Sequence, residues 1–289
     1  MSTSPILVNL NNLDVQDVET RKLDFSICEF SDKADDRLIK LAYVRSTRED
    51  RYSPLHRHNF DQVRYIFSGE ITYGPIKCRP GDCVYFPEGV FYGPTEVKTD
   101  KAENYTIQSQ GPSWAYLLSR AEAKKVAAEL TREAVLDREQ GVIHWPSGKT
   151  QDSYEAMWEK LTDQRLVYPL ARFNGPCLLR SEQFSWVTWN RGDKAYAKHL
   201  ALFNECGPAI KLIMVESGGK LFSGSTNCHR IALLLSGSIR DKDNLITAGG
   251  AIYSGPLTSY SAMSCEAEAT LLLVYLQARN GPPIDSWLP

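Results

Sequence analysis

The sequence predicts an all-β dominated chain in which two antiparallel β units, of barrel or sandwich type, are joined by a helical connector. Three observations predict it. Short runs rich in β-branched and aromatic residues, bounded by turn residues, fill the regions from about 22 to 110 and 183 to 278, among them LIKLAYV, QVRYIFSG, CVYFPEG, AIKLIMVE, IALLLSG and ATLLLVYL. Between them the apolar period becomes helical. The two β regions also echo each other: YIFSGEI and LLLSGSI superpose at an offset of 168 residues, with Gly69 on Gly237, which reads as an internal duplication.

The units follow in order along the chain as 1–112, a connector over 113–175, and 176–289. In the connector, Ser119 followed by Glu122 is a capping-box pattern, and Ala123, Val126, Ala127, Leu130 and Ala134 recur at helical spacing behind it. Tyr154, Met157, Trp158 and Leu161 repeat that period after Ser153. Stripes of this kind are rarely left bare, so the connector is expected to pack against the β units.

Composition excludes several function classes. The 33 Lys+Arg against 35 Asp+Glu leave a formal charge of −2, with no basic run for a nucleic-acid surface. No segment approaches the roughly 20 apolar residues of a membrane span, and the N-terminus lacks a basic-then-apolar leader, so the expected location is the cytoplasm. The seven cysteines, Cys28, Cys78, Cys83, Cys177, Cys206, Cys228 and Cys265, contain no CxxC pair and read as buried thiols. Neither a strand-linked GxGxxG nor a GxxxxGK is present, so no nucleotide, flavin or nicotinamide fingerprint appears.

The chemistry concentrates in PLHRHNFDQVRYIFSG, Pro54 to Gly69. In an extended segment His56 and His58 point to one face, which suits a first-row divalent ion; alone they could equally be a solvated edge. Alternation puts Gln62, Arg64 and Ile66 on one face and Asp61, Val63 and Tyr65 on the other. An interior Arg64 requires an anion beside it, from the protein or a ligand, unless twist carries it to solvent or to a carboxylate such as Glu96. Asp61 would need a bulge to turn inward. Glu88, between Pro87 and Gly89, reads as a solvated turn residue. Tyr73 reads as a pocket wall or simple core.

These residues resemble the cupin superfamily. Its first motif runs from HxH through three or four residues to a glutamate and six more to a glycine; here it reads His56-x-His58, three residues, Gln62, six residues, Gly69. Its second motif is matched by Gly81, five residues, Pro87-x-Gly89, two residues and Tyr92, where the family has its last histidine. The resemblance implies a bicupin of two double-stranded β-helix, jelly-roll barrels. It also implies a metal site at His56, His58, Gln62 and Tyr92 in the first barrel, with Gln62 replacing the family's glutamate and Tyr92 its histidine. Fe(II) is the expected ion, with Zn, Mn or Ni as alternatives. Tyr92 and Arg64 are the expected catalytic residues, and Arg64, Tyr73 and Glu96 the substrate-binding ones.

At the same offset the second unit puts Gly224 opposite His56, Thr226 opposite His58, Arg230 opposite Gln62 and, after one inserted residue, Ser261 opposite Tyr92. It cannot bind a metal in the family manner, and is expected to be a scaffold or the contact of a homodimer, a vestigial ligand pocket being the alternative. His229 should face outward, and His144 and His199 read as structural or solvated. Two imidazoles and an amide leave a divalent ion largely uncompensated, which favours a small anionic or enolisable oxygenated substrate. The resemblance implies a dioxygenase-type oxidoreductase. A redox-neutral isomerase, lyase or cyclase with Tyr92 as acid/base, or a non-catalytic small-molecule binder, are the other readings.

Overall fold

The computed structural model describes residues 5–18, 23–32, 35–47, 52–137, 140–190, 192–203, 207–221, 225–242, 244–259, 262–279 and 281. Gly224, Ser261 and Cys206 lie outside them. Each β unit is a seven-stranded antiparallel sheet faced by a four-stranded one. In the first unit the large sheet runs Cys177–Arg180, Asp82–Phe86, Asp61–Ser68, Lys101–Ser109, Arg37–Thr47, Leu23–Asp32, Gln16–Val18. In the second it runs Ile6–Asn9, Gly250–Ser254, Cys228–Ser236, Ala269–Gln277, Ala209–Val215, Ala195–Leu202, Val187–Asn190. Among the described residues the ladders form open sandwiches and no closed barrel.

Both large sheets are buried on both faces, which is why their central strands read as unbroken apolar runs. One face closes its own unit: Ile66, Val84 and Phe86 meet Ile71, Tyr73 and Val97 of the small sheet in the first, and Ala232, Leu271 and Leu273 meet Ile239 and Met263 in the second. The opposite faces pack against each other through Val63, Tyr85, Ile107, Ile231, Leu233 and Val274. Removing such a side chain costs about 2–5 kcal/mol. The outermost strands cross between units: Ile6–Asn9 pairs with Gly250–Ser254, and Cys177–Arg180 pairs with Asp82–Phe86.

The duplicated turns are alike in detail. Gly69 has φ +71° and Gly237 φ +76°; a Cβ would lie 2.1 Å from Lys101 O in one unit and 2.1 Å from Glu268 O in the other. Only glycine meets both demands.

The connector contains α1 (Arg120–Leu130) and α2 (Ser153–Thr162). Ser119 and Glu122 form the reciprocal capping box, and Asp152 caps α2 by accepting from Glu155 N at 3.0 Å. Between them lies a three-stranded sheet, Val135–Asp137, Val142–His144 and Thr150–Asp152, whose strands are too short for periodicity to reveal. The connector packs on the first unit: Trp158 Nε1 donates to Tyr116 O at 2.9 Å, Tyr154 Oη donates to Asn59 Oδ1 at 2.8 Å, and the Arg57 guanidinium lies between the rings of Phe91 and Tyr168. Six of the cysteines are described, all free; Cys28 and Cys177 are half-buried and the other four buried. No helix among the described residues is long and apolar enough to cross a membrane.

Candidate functional site

The segment carrying the histidines is held extended by backbone bonds to the turn of the second motif. His56 N donates to Tyr92 O (3.1 Å), Tyr92 N to His56 O (2.9 Å) and Gly89 N to His58 O (2.8 Å). The two motifs are therefore one structure, and it brings the rings of His56, His58 and Tyr92 together: centroids are 5.0 Å apart for His56–His58 and 4.3 Å for His56–Tyr92. His58 is further fixed by stacking on Phe60 at 4.5 Å and by the edge of Tyr154 at 5.3 Å.

Gln62 and Arg64 enter from the adjacent strand, both buried. Gln62 Oε1 accepts from Arg64 Nη2 and from Gln108 Nε2, each at 3.1 Å. Tyr92 Oη accepts from Gln62 Nε2 at 2.8 Å and from Arg64 Nη2 at 3.2 Å. The guanidinium carbon sits 5.1, 4.8 and 5.2 Å from the ring centroids of Tyr73, Phe86 and Tyr92. Burial opposes the charge of Arg64, but the facing phenols of Tyr92 and Tyr73 outweigh it and hold its pKa above the usual guanidinium value. Arg64 is only 8% exposed, and its Nε and Nη1 are buried without a hydrogen-bond partner.

These groups line a cavity of about 360 Å³. His56, His58, Gln62, Arg64 and Tyr92 form its floor and near wall; Asp152, Ser153, Tyr154 and Met157 of the connector form the far wall. That contribution was not legible from the helical period, which shows that a stripe is buried but not against what. Of the other expected site residues, Tyr73 lies behind Arg64 and outside the cavity wall. Glu96 is also away from it, with its half-exposed carboxylate paired to Lys98.

The residues present fit a divalent ion at the two imidazoles. His56 Nδ1 lies 2.7 Å from Pro54 O, so it carries the proton and Nε2 keeps the lone pair, the tautomer a metal-ligating histidine adopts. The oxygens of Gln62 and Tyr92 already accept from a guanidinium, so the neutral amide and phenol are more closely tied to Arg64 than to an ion.

Glu88 departs from the expected solvated turn. It is 3% exposed, accepts from Ser113 N at 2.8 Å and Ser113 Oγ at 2.6 Å, and burial pushes its pKa up. The start of the connector folds back over the turn and supplies donors that turn chemistry alone does not reveal. Asp61 points away from the cavity, as alternation requires, and is buried with Tyr85 Oη donating to it at 2.7 Å and Glu88 N at 2.8 Å.

His229 does leave the interior of its unit, yet it is fully buried, because the outward face is the junction between units. Its Nε2 lies 2.7 Å from Asp35 Oδ2 and its Nδ1 3.0 Å from Tyr253 Oη. With Asp32 these groups bring three ligating atoms within 4.8 Å of one another, but Asp35 also accepts from the backbone N–H of Arg37 and Arg279. The cluster reads as a polar junction between sheets. His144 is exposed on the connector sheet, and His199 lies in the second unit with its pKa lowered by burial and by Lys211. Thr226 Oγ1 donates to Cys228 O at 3.0 Å.

No family model and no curated protein matches this sequence. Solved structures do. A "putative dioxygenase" from Nostoc punctiforme superposes with a TM-score of 0.65 at 11% identity, over 100% of this chain and 88% of that one. A mutant of Bacillus subtilis oxalate decarboxylase gives 0.60 at 14% identity, over 96% and 78%. The "putative glyoxylate induced protein" of Pseudomonas aeruginosa gives 0.56 at 9% identity, over 100% and 92%. The chain has the bicupin fold. At these identities the likeness defines the fold, and the chemistry has to be argued from the site.

Proposed function

We propose that the chain is a cupin-type, metal-dependent enzyme whose first unit acts on a small anionic, oxygenated organic substrate, with a dioxygenase-type oxidation as the leading reaction. One observation carries this reading: a buried guanidinium whose Nε and Nη1 have no hydrogen-bond partner lines the same cavity as an oriented histidine pair. Among the described residues no carboxylate lies within ion-pair distance of Arg64, so a substrate carboxylate or enolate is the anion that would complete it. The neighbours named as a dioxygenase and an oxalate decarboxylase support enzymatic chemistry on small oxygenated acids by analogy of fold.

Arg64 would bind and orient the anion, and the Tyr154 and Met157 wall would limit water. A divalent ion on His56 and His58 would polarise a substrate oxygen and, if redox-active, supply electrons for dioxygen chemistry. Tyr92 supports a second reading. Its oxygen accepts from both Gln62 and Arg64, an arrangement that suits a phenol exchanging a proton with substrate in a redox-neutral isomerase, lyase or cyclase.

The test is oxygen consumption with catechols, β-diketones and small 2-oxo and 2-hydroxy acids, run beside anaerobic product analysis. Oxygen uptake lost in His56→Ala/His58→Ala supports the leading reading. Anaerobic turnover lost in Tyr92→Phe supports the second, and saturable binding with no turnover on any substrate rejects both.

A further inference from the structure

Building on the reading of the first unit's cavity as the site of an anionic substrate, we propose that this substrate is an aliphatic, hydroxylated acid. Its carboxylate sits on Arg64, and its hydroxyl groups meet a polar wall that includes Asp152.

The lining of the cavity decides the class. Ligand pockets are as a rule walled mainly by apolar and aromatic side chains. Among the described residues no Leu, Ile, Val, Phe or Trp lines this one, and its aliphatic side chains are those of Pro54 and Met157. An alkyl chain or a benzene ring placed here would strip water from hydroxyls, amides and charges and return no hydrogen bond, so each group would bear its desolvation uncompensated. A hydroxylated chain replaces that water group for group.

The polarity also has a direction. Arg64 can only donate, and Asp152, the one carboxylate among the described lining residues, can when ionised only accept. Ser53 and Thr95 stand directly opposite each other in an antiparallel ladder, so their side chains share a face, and both line the cavity. Ser153 adds a further hydroxyl next to Asp152. Such groups both donate and accept, and other hydroxyls satisfy them in both senses, whereas an ammonium group only donates.

The connector end of this wall is fixed in place. Asp152 Oδ1 accepts from Glu155 N at 3.0 Å, and Ser153 N donates to Gly141 O at 2.8 Å. A carboxylate accepts several hydrogen bonds at once, so capping α2 and receiving a substrate hydroxyl are compatible. The volume of about 360 Å³ lies at the small end for ligand pockets and suits a short chain.

The experiment is calorimetric titration of the full chain, purified without chelator, with four probes: sodium threonate in its D and L forms, sodium butyrate, threitol and protocatechuate. The first three share a four-carbon chain and differ in carboxylate and hydroxyls, and the last carries both on an aromatic ring. The better form of threonate is expected to bind about tenfold or more tighter than each of the others, since unmatched polar groups cost at least that factor. Asp152→Asn keeps a good helix cap but removes the charge, and should narrow the threonate to butyrate ratio severalfold. Arg64→Gln should weaken both aliphatic acids by the same factor and leave their ratio unchanged. Threonate and butyrate binding alike through Arg64, protocatechuate or threitol binding as tightly as threonate, or a ratio indifferent to Asp152→Asn would overturn this proposal and leave the anion reading standing. Acids whose binding ignores Arg64→Gln would overturn the anion reading, and with it the placement of the carboxylate here.

Discussion

Arg64 donates through Nη2 to Gln62 Oε1 at 3.1 Å, two residues before it on the same strand, and the two side chains meet again on the oxygen of Tyr92. A neutral amide at this position leaves the guanidinium charge intact, where a carboxylate would cancel it. Gln62→Glu would place an internal anion on Arg64. The expected outcome is that a carboxylate substrate or analogue binds about tenfold or more weaker, since repulsion within about 4 Å is worth a few kcal/mol at a partly buried site, while metal content is kept or rises. Calorimetric titration beside elemental analysis checks it; tighter binding of both metal and anion would refute the charge argument.

The histidine pair sets a stoichiometry. Protein purified without chelator should carry about one divalent ion per chain, and His56→Ala/His58→Ala should lose it. Two ions per chain, or full occupancy in the double variant, would contradict a single site in the first unit.

Gly69→Ala and Gly237→Ala should destabilise to a similar extent, each on the order of 2–4 kcal/mol, because each forces a Cβ against a carbonyl at positive φ. Urea unfolding of the two variants measures this. A large loss at one glycine and none at the other would mean that the duplicated turns are not mechanically equivalent.

Lys211 gives a pH signature. Between about 8 and the ordinary lysine value of 10.5, the unfolded chain binds a proton at this residue that the folded chain has released. Stability contributed by this residue therefore rises with pH through that window and is lowest below it. The buried thiols oppose the trend above their ordinary value of 9, because folding holds them protonated; Cys28, for example, is pushed up to about 12. The comparison with Lys211→Met isolates the lysine: the difference in urea midpoint between the two proteins should change between pH 8 and 9, and a constant difference would count against a titrating Lys211.

Sequence carried much of this because its signals were local. The Ser119 cap, the Ser-Gly turns and the side-chain alternation of Asp61–Ser68 each depend on neighbours a few residues away. What it could not carry depended on which surfaces meet. Glu88 looked solvated until Ser113 returned to cover it, and His229 faced outward into another sheet. Lys211 passed unnoticed within an apolar strand, because one lysine in such a run gives no sign of whether it turns to solvent or inward. The wall made by α2 was hidden for the same reason.

The crossed outer strands govern when this molecule can become complete. Ile6–Asn9 leaves the ribosome long before its partner Gly250–Ser254, and Asp82–Phe86 waits for Cys177–Arg180. The first unit's large sheet thus stays open at one edge until the connector has been made, and Ile6–Asn9 lacks its strand partner until Gly250–Ser254 has followed it. Synthesis of either half by itself exposes an edge ready to recruit foreign strands, so separately expressed halves should aggregate where the full chain folds, and mixing them during refolding should recover what neither achieves alone.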